Sequence, residues 1–149
     1  MRKTDRCHAQ RLTGSAYHTP AGDEALADGT AVRPGDLVQL AYQAAGKPFG
    51  VIVSLDGRGS VTVHHPKDGR AAARLVSGQP VRLTHAYRLD DAPRWERFYF
   101  VTSDHPFEVD AVVAASERLA AGRAAPVDKL PLPASLDQFS FTLTKEEPR

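Results

Sequence analysis

Three stretches of the chain crowd together side chains able to do chemistry. The first is Asp90-Asp91, followed closely by Arg94, Trp95, Glu96 and Arg97. Two adjacent carboxylates can hold a cation or serve as acid and base. Their setting before Ala92-Pro93 favours turn hydrogen bonds and solvated charge instead. Trp95 suits either a core position or a contact anchor, since tryptophan beside arginine is a common hot-spot composition. The second stretch, Ser103-Asp104-His105, contains the residue types of a hydrolase triad, but consecutively. A triad needs side chains converging from separate positions, and capping of a following helix accounts better for Ser103 and Asp104. The third is His64-His65, at the end of a β-rich run. Alternation sends these imidazoles to opposite faces, which denies a metal both ligands at once.

Other signals are weaker. Cys7-His8 lacks two further ligands at metal-binding spacing, and a single cysteine allows no internal disulfide. Gly57 and Gly59 have a G-x-G spacing but lie in a hairpin sequence, where they do not cradle phosphate. No G-x-S-x-G, H-E-x-x-H or G-x-x-x-x-G-K-[ST] pattern occurs. No catalytic residue, metal or cofactor is therefore expected. The candidate binding residues are Asp90, Asp91, Arg94, Trp95 and Arg97.

These residues must be positioned by a chain of 149 residues, the size of one domain, with 42% hydrophobic and 25% charged residues. The formal net charge of +1 divides into 0 over residues 1–30, +4 over 31–100 and −3 over 101–149. That middle excess is too small to indicate nucleic-acid binding. No apolar run approaches the roughly 20 residues of a membrane span. No signal-peptide core follows the early arginines, so a cytoplasmic address is the default expectation.

Residues 1–29 show neither alternation nor a helical stripe and are expected to form a flexible arm. From residue 30 the chain reads as short strands. Val38, Leu40 and Tyr42 share a face after the turn Arg33-Pro34-Gly35-Asp36. The run from Phe49 to Leu55 is apolar at nearly every position, as in a central strand, and Gly50 within it suggests a bulge or close backbone approach. Asp56-Gly57-Arg58-Gly59 is a reversal signal, returning through Val61 and Val63. Short strands are expected near 81–83 and 86–89. The aromatic run 95–102 is the strongest core-strand candidate. Val109, Val112, Val113, Ser116, Leu119 and Ala120 recur at helical spacing and end at Gly122. Phe139, Phe141 and Leu143 form a last strand, and 145–149 a charged tail. The sum is one mainly β domain over residues 30–144: an antiparallel β-sandwich or partly open barrel of about seven strands with one C-terminal amphipathic α-helix.

Pro34-Gly35-Asp36-Leu37-Val38-Gln39-Leu40, Ser54-Leu55-Asp56-Gly57-Arg58-Gly59-Ser60-Val61-Thr62, His85-Ala86-Tyr87-Arg88-Leu89-Asp90-Asp91-Ala92-Pro93 and Glu96-Arg97-Phe98 occur in this order. Together they resemble a bacterial domain of ActD-like proteins, similar to the domain of unknown function attached to anti-sigma-factor membrane anchors or caspase-like peptidases. The resemblance spans about residues 27–144 and brings no catalytic residues. It implies an accessory module in bacterial signalling or envelope regulation, with a protein partner. The anti-sigma relatives carry a zinc-binding helical module and a membrane helix, whereas here Cys7 stands alone and no apolar span is present. A non-catalytic binding module, with contacts at residues 90–97, is the function expected. A hydrolase or metal-dependent enzyme is the alternative, needing at least three of His64, His85, His105, Asp90 and Asp91 to meet in one cleft.

Overall fold

The computed structural model describes residues 10–19, 22–122 and 129–146. They form eleven strands in two sheets and one helix: β1 (Arg11–Thr19), β2 (Gly22–Leu26), β3 (Ala31–Val32), β4 (Leu37–Gln43), β5 (Phe49–Asp56), β6 (Val61–His65), β7 (Ala73–Arg74), β8 (Val81–Arg82), β9 (Tyr87–Arg88), β10 (Trp95–Ser103), α1 (Val109–Ala121) and β11 (Asp137–Lys145). The first sheet runs β2-β1-β4-β8, with β9 also on β4. The second runs β3-β11-β10-β5-β6, with β7 on β5. Every pairing is antiparallel except the short β3–β11 contact.

Two apolar layers hold these elements. Between the sheets, Val38, Leu40 and Tyr42 of β4 meet Ile52 of β5, Phe98 and Phe100 of β10, and Phe141 and Leu143 of β11. Phe98 and Phe141 stack at 5.1 Å. On the other face of the second sheet, Val51, Val53, Leu55, Tyr99 and Val101 pack on Val109, Val112 and Ala115 of α1 and on Leu130. The helix buries one stripe and leaves its charged side in water. Strands β5 and β10 are thus covered on both faces, which explains their nearly continuous apolar runs.

The expected sandwich with its C-terminal helix is the observed architecture. The expected arm is different at Arg11–Thr19 and Gly22–Leu26, which pair antiparallel as β1 and β2. Strand β1 pairs with β4 from Arg11↔Gln43 to Tyr17↔Leu37. Cys7 and His8 lie outside the described residues. The expected tail also differs at its start, because Lys145 is the last residue of β11 and is buried.

Two local expectations need correction. Strand β10 continues through Ser103, and the helix begins at Val109 with Glu108 as its N-cap and no side-chain cap. Ser103 Oγ instead accepts the His105 amide, and Asp104 pairs with Lys47. The second concerns β6. Its register against β5 shifts between Val53↔Val63 and Ile52↔His65, leaving His64 as an extra residue. This bulge turns both imidazoles toward the inter-sheet layer. His64 meets Tyr87 at 4.4 Å and Phe98 at 5.5 Å, while His65 meets Tyr42 at 5.6 Å. Gly50 sits at a close approach, as expected: a Cβ there would lie 2.8 Å from Leu75 Cδ1.

Candidate functional site

One end of the sandwich gathers most of the polar residues singled out above. It is built from the end of β5, the hairpin 56–60, β9, the loop 90–94, the start of β10 and the end of β11. Backbone hydrogen bonds lock these segments. The Gly57 amide donates to the Trp95 carbonyl at 3.0 Å, the Trp95 amide to the Pro93 carbonyl at 2.9 Å, and the Lys145 amide to the Arg94 carbonyl at 2.9 Å. Asp56 Oδ1 accepts the Arg58 and Ser60 amides and shapes the reversal.

Inside this end lies a charged cluster. Lys145 Nζ is 3.0 Å from Glu96 Oε1 and 2.9 Å from Asp90 Oδ1. The Lys145 and Glu96 side chains are each 1% exposed, so the pair is inside the protein. Asp56, Asp90 and Glu96 each place a carboxylate oxygen within 4.8 Å of the others. Three carboxylates at that spacing resemble a cation cage, and here the chain's own ammonium bonds two of them. Burial alone would lower the Lys145 pKa, but Glu96 and Asp90 outweigh it and hold the ammonium above its ordinary value. Burial pushes Glu96 up, against the pull of Lys145. Burial also acts to raise Asp90, but the Ala92 amide and Lys145 bring it below the usual carboxylate range.

The cluster continues toward β6. Tyr87 OH donates to Glu96 Oε2 at 3.2 Å, and burial followed by the Glu96 charge drives its phenol upward. Ser54 Oγ lies 2.8 Å from His64 Nε2 in a buried hydrogen bond. Burial, with a lesser push from His85, lowers the His64 pKa to about 4. The folded state therefore resists a proton that the unfolded chain takes up below its ordinary value. Stability is complete above that value and falls with pH down to about 4, by about 3 kcal/mol in all.

Outside this interior the end of the sandwich presents a cleft of about 510 Å³, lined by Leu55, Asp56, Gly57, Arg58, Gly59, Arg94, Trp95 and Ala120. Arg58 Nη1 bonds Asp91 Oδ1 at 2.8 Å, with both side chains largely in water. Arg58 holds the Asp91 carboxyl below its ordinary value. Arg94 is exposed, with backbone φ +76° and no side-chain partner among the described residues. The opposite end has a wider cleft beside Lys47 and Lys129, where Lys47 is held by Asp104 at 3.1 Å and Asp137 at 3.4 Å.

The five candidate binding residues consequently divide. Asp91, Arg94 and Trp95 occupy the open loop end. Asp90 turns onto Lys145. Arg97 is buried in the second sheet, where it donates to Thr142 Oγ1 and Ser140 Oγ at 2.6 Å and lies over the Tyr99 ring. Its alternation within β10 placed it among the loop residues only in sequence. Among the described residues, those of the enzymatic alternative do not form a cluster of three ligating atoms; the one such cluster is Asp56, Asp90 and Glu96. His64 and His85 are neighbours, but Asp90 and Asp91 are engaged by Lys145 and Arg58. His105 follows the far end of β10, roughly 26 Å along the strand from Trp95. Sequence reasoning missed Lys145 and Ser54, and named Glu96 without giving it a role. The one available signal was a lysine ending an alternating run, Phe139-Phe141-Leu143-Lys145, at an inward position.

The fold and site together describe a β-sandwich backed by a helix, with an internal charge cluster beneath an exposed arginine and tryptophan cleft. Comparisons with protein-family models, curated proteins and solved structures find no match.

Proposed function

We propose that this protein is a non-catalytic binding module whose contact face is the loop end formed by residues 56–60 and 90–95. Its setting in bacterial signalling or envelope regulation follows from the resemblance to the ActD-like domain. The observation that carries the reading is a separation of roles. The titratable groups most suited to chemistry are held by the scaffold: His64 and Glu96 bond to Ser54, Tyr87 and Lys145 inside it, and the half-exposed Asp90 pairs with Lys145 at its edge. Arg58 and Arg94, presented outward, and Trp95, half-buried against the sheet–helix layer, line the cleft and have the composition of a recognition hot spot.

Arg94→Gly tests this face without disturbing the fold, because glycine adopts φ +76° at no steric cost. In cells producing the full chain, chemical crosslinking to a protein partner is expected to fall about tenfold in this variant, a loss of roughly 1.4 kcal/mol in binding. Unchanged crosslinking would reject the contact face. Substrate turnover by the wild type that disappears in His64→Phe would reject the non-catalytic assignment.

A further inference from the structure

We infer that the cleft between the hairpin 56–60 and the loop 90–95 takes an acidic peptide segment of a protein partner, and that Asp91 occupies the partner's place on Arg58 when the cleft is free. This rests on the contact face proposed above and adds the chemistry of its occupant.

The floor and rim of the cleft are chemically different. The half-buried Trp95 and Ala120, packed over the buried Leu55, supply a small apolar patch in a mainly polar cleft. Arg58 and Arg94 stand at its rim as planar donors matched to carboxylates. The nearby acids do not cancel them equally. Glu96 is buried against Lys145, Asp90 pairs with the same ammonium from a half-exposed position, and Asp56 Oδ1 is committed to the Arg58 and Ser60 amides. Asp91 hydrogen-bonds a rim guanidinium, at 2.8 Å from Arg58 Nη1, with its backbone carbonyl 3.4 Å from Arg58 Nη2. This side-chain and main-chain grip is the one a peptide carboxylate would make. Both members are in water, at 54% and 77% side-chain exposure, so exchanging Asp91 for an incoming carboxylate needs no buried charge to be uncovered. Arg94, exposed and with no side-chain partner among the described residues, supplies the second contact. Carboxylates on alternate residues, with an apolar residue between them, fit this pattern best.

Trp95 is the only tryptophan and reports on the cleft by fluorescence. The full chain is titrated with three blocked octapeptides that alternate leucine with glutamate, glutamine or lysine, and with octathymidylate. The glutamate peptide is expected to bind best, and about tenfold more weakly when salt is raised to about 0.5 M. Asp91→Asn should tighten that binding roughly threefold by freeing Arg58, and Arg94→Gly should weaken it about tenfold. Circular dichroism confirms that both variants are folded. Equal or tighter binding of the glutamine or lysine peptide overturns the acidic occupant while keeping the contact face. Tighter binding of octathymidylate overturns it in favour of nucleic acid. Weaker binding by Asp91→Asn overturns the self-occupancy. No response to any peptide at millimolar concentration rejects both this inference and the face on which it rests.

Discussion

Replacing Lys145 with methionine is expected to destabilise the protein by about 3–5 kcal/mol. The side chain is 1% exposed and provides the cation for both Glu96 and Asp90. Without it, Glu96 remains buried beside Asp56 and Asp90, and must either stay charged unpaired or take up a proton. The loss should therefore deepen as pH rises through the carboxylate range. Combining Lys145→Met with Glu96→Gln removes the orphaned charge, keeps an acceptor for Tyr87 and should recover most of the stability. Urea denaturation of the single and double variants measures this. A single variant as stable as the wild type would mean that the ammonium is not the interior cation.

Gly57→Ala is expected to cost about 3 kcal/mol, the upper end for overfilling a packed site. A Cβ at this position would lie 1.9 Å from the Pro93 carbonyl oxygen. That oxygen is backbone and already accepts the Trp95 amide, while the Gly57 amide donates to the Trp95 carbonyl. Neither chain can retreat without breaking the lock between hairpin and loop, so Trp95 fluorescence should change together with stability. Gly122→Ala is the control. Its Cβ would make ordinary contacts of 3.6 and 3.8 Å with helix carbonyls, and a change within about 0.5 kcal/mol is expected. Equal thermal midpoints for Gly57→Ala and wild type would show that the two loops are not interlocked.

Much of the fold was legible because burial left its period in the residues. Val38, Leu40 and Tyr42 alternate because only one face of β4 meets the core. Strands β5 and β10 read as unbroken apolar runs because sheet and helix cover both their faces. Strand β1 left no such pattern. Among its residues with described burial, Leu12 is the buried hydrophobic one, and its place is secured largely by backbone pairing with β4. Such pairing is indifferent to side-chain type and writes nothing into the sequence.

The site was legible only in part, for equally local reasons. Asp91 and Arg94 fall where a Pro-containing loop should expose them, while Trp95 opens β10 and is half-buried against the sheet–helix layer. Strict alternation separates His64 from His65, but one bulged residue reunites them. Asp90 and Asp91 are neighbours in sequence with opposite fates, because each turns toward a cation supplied by another strand or hairpin. Lys145 lies fifty-five positions from Asp90, and nothing local to either residue announces the pairing. Long-range charge neutralisation of this kind is set by strand register, here the meeting of β10 and β11.

The most direct test of an interior charge scaffold beneath a separate contact face is an NMR titration of the His64 imidazole, with and without zinc. The ring is expected to remain neutral until about pH 4, and stoichiometric zinc should leave its resonances unmoved. A ring that titrates near its ordinary value of 6.5, or that zinc shifts or broadens, would place an accessible and reactive histidine where a buried structural one is expected.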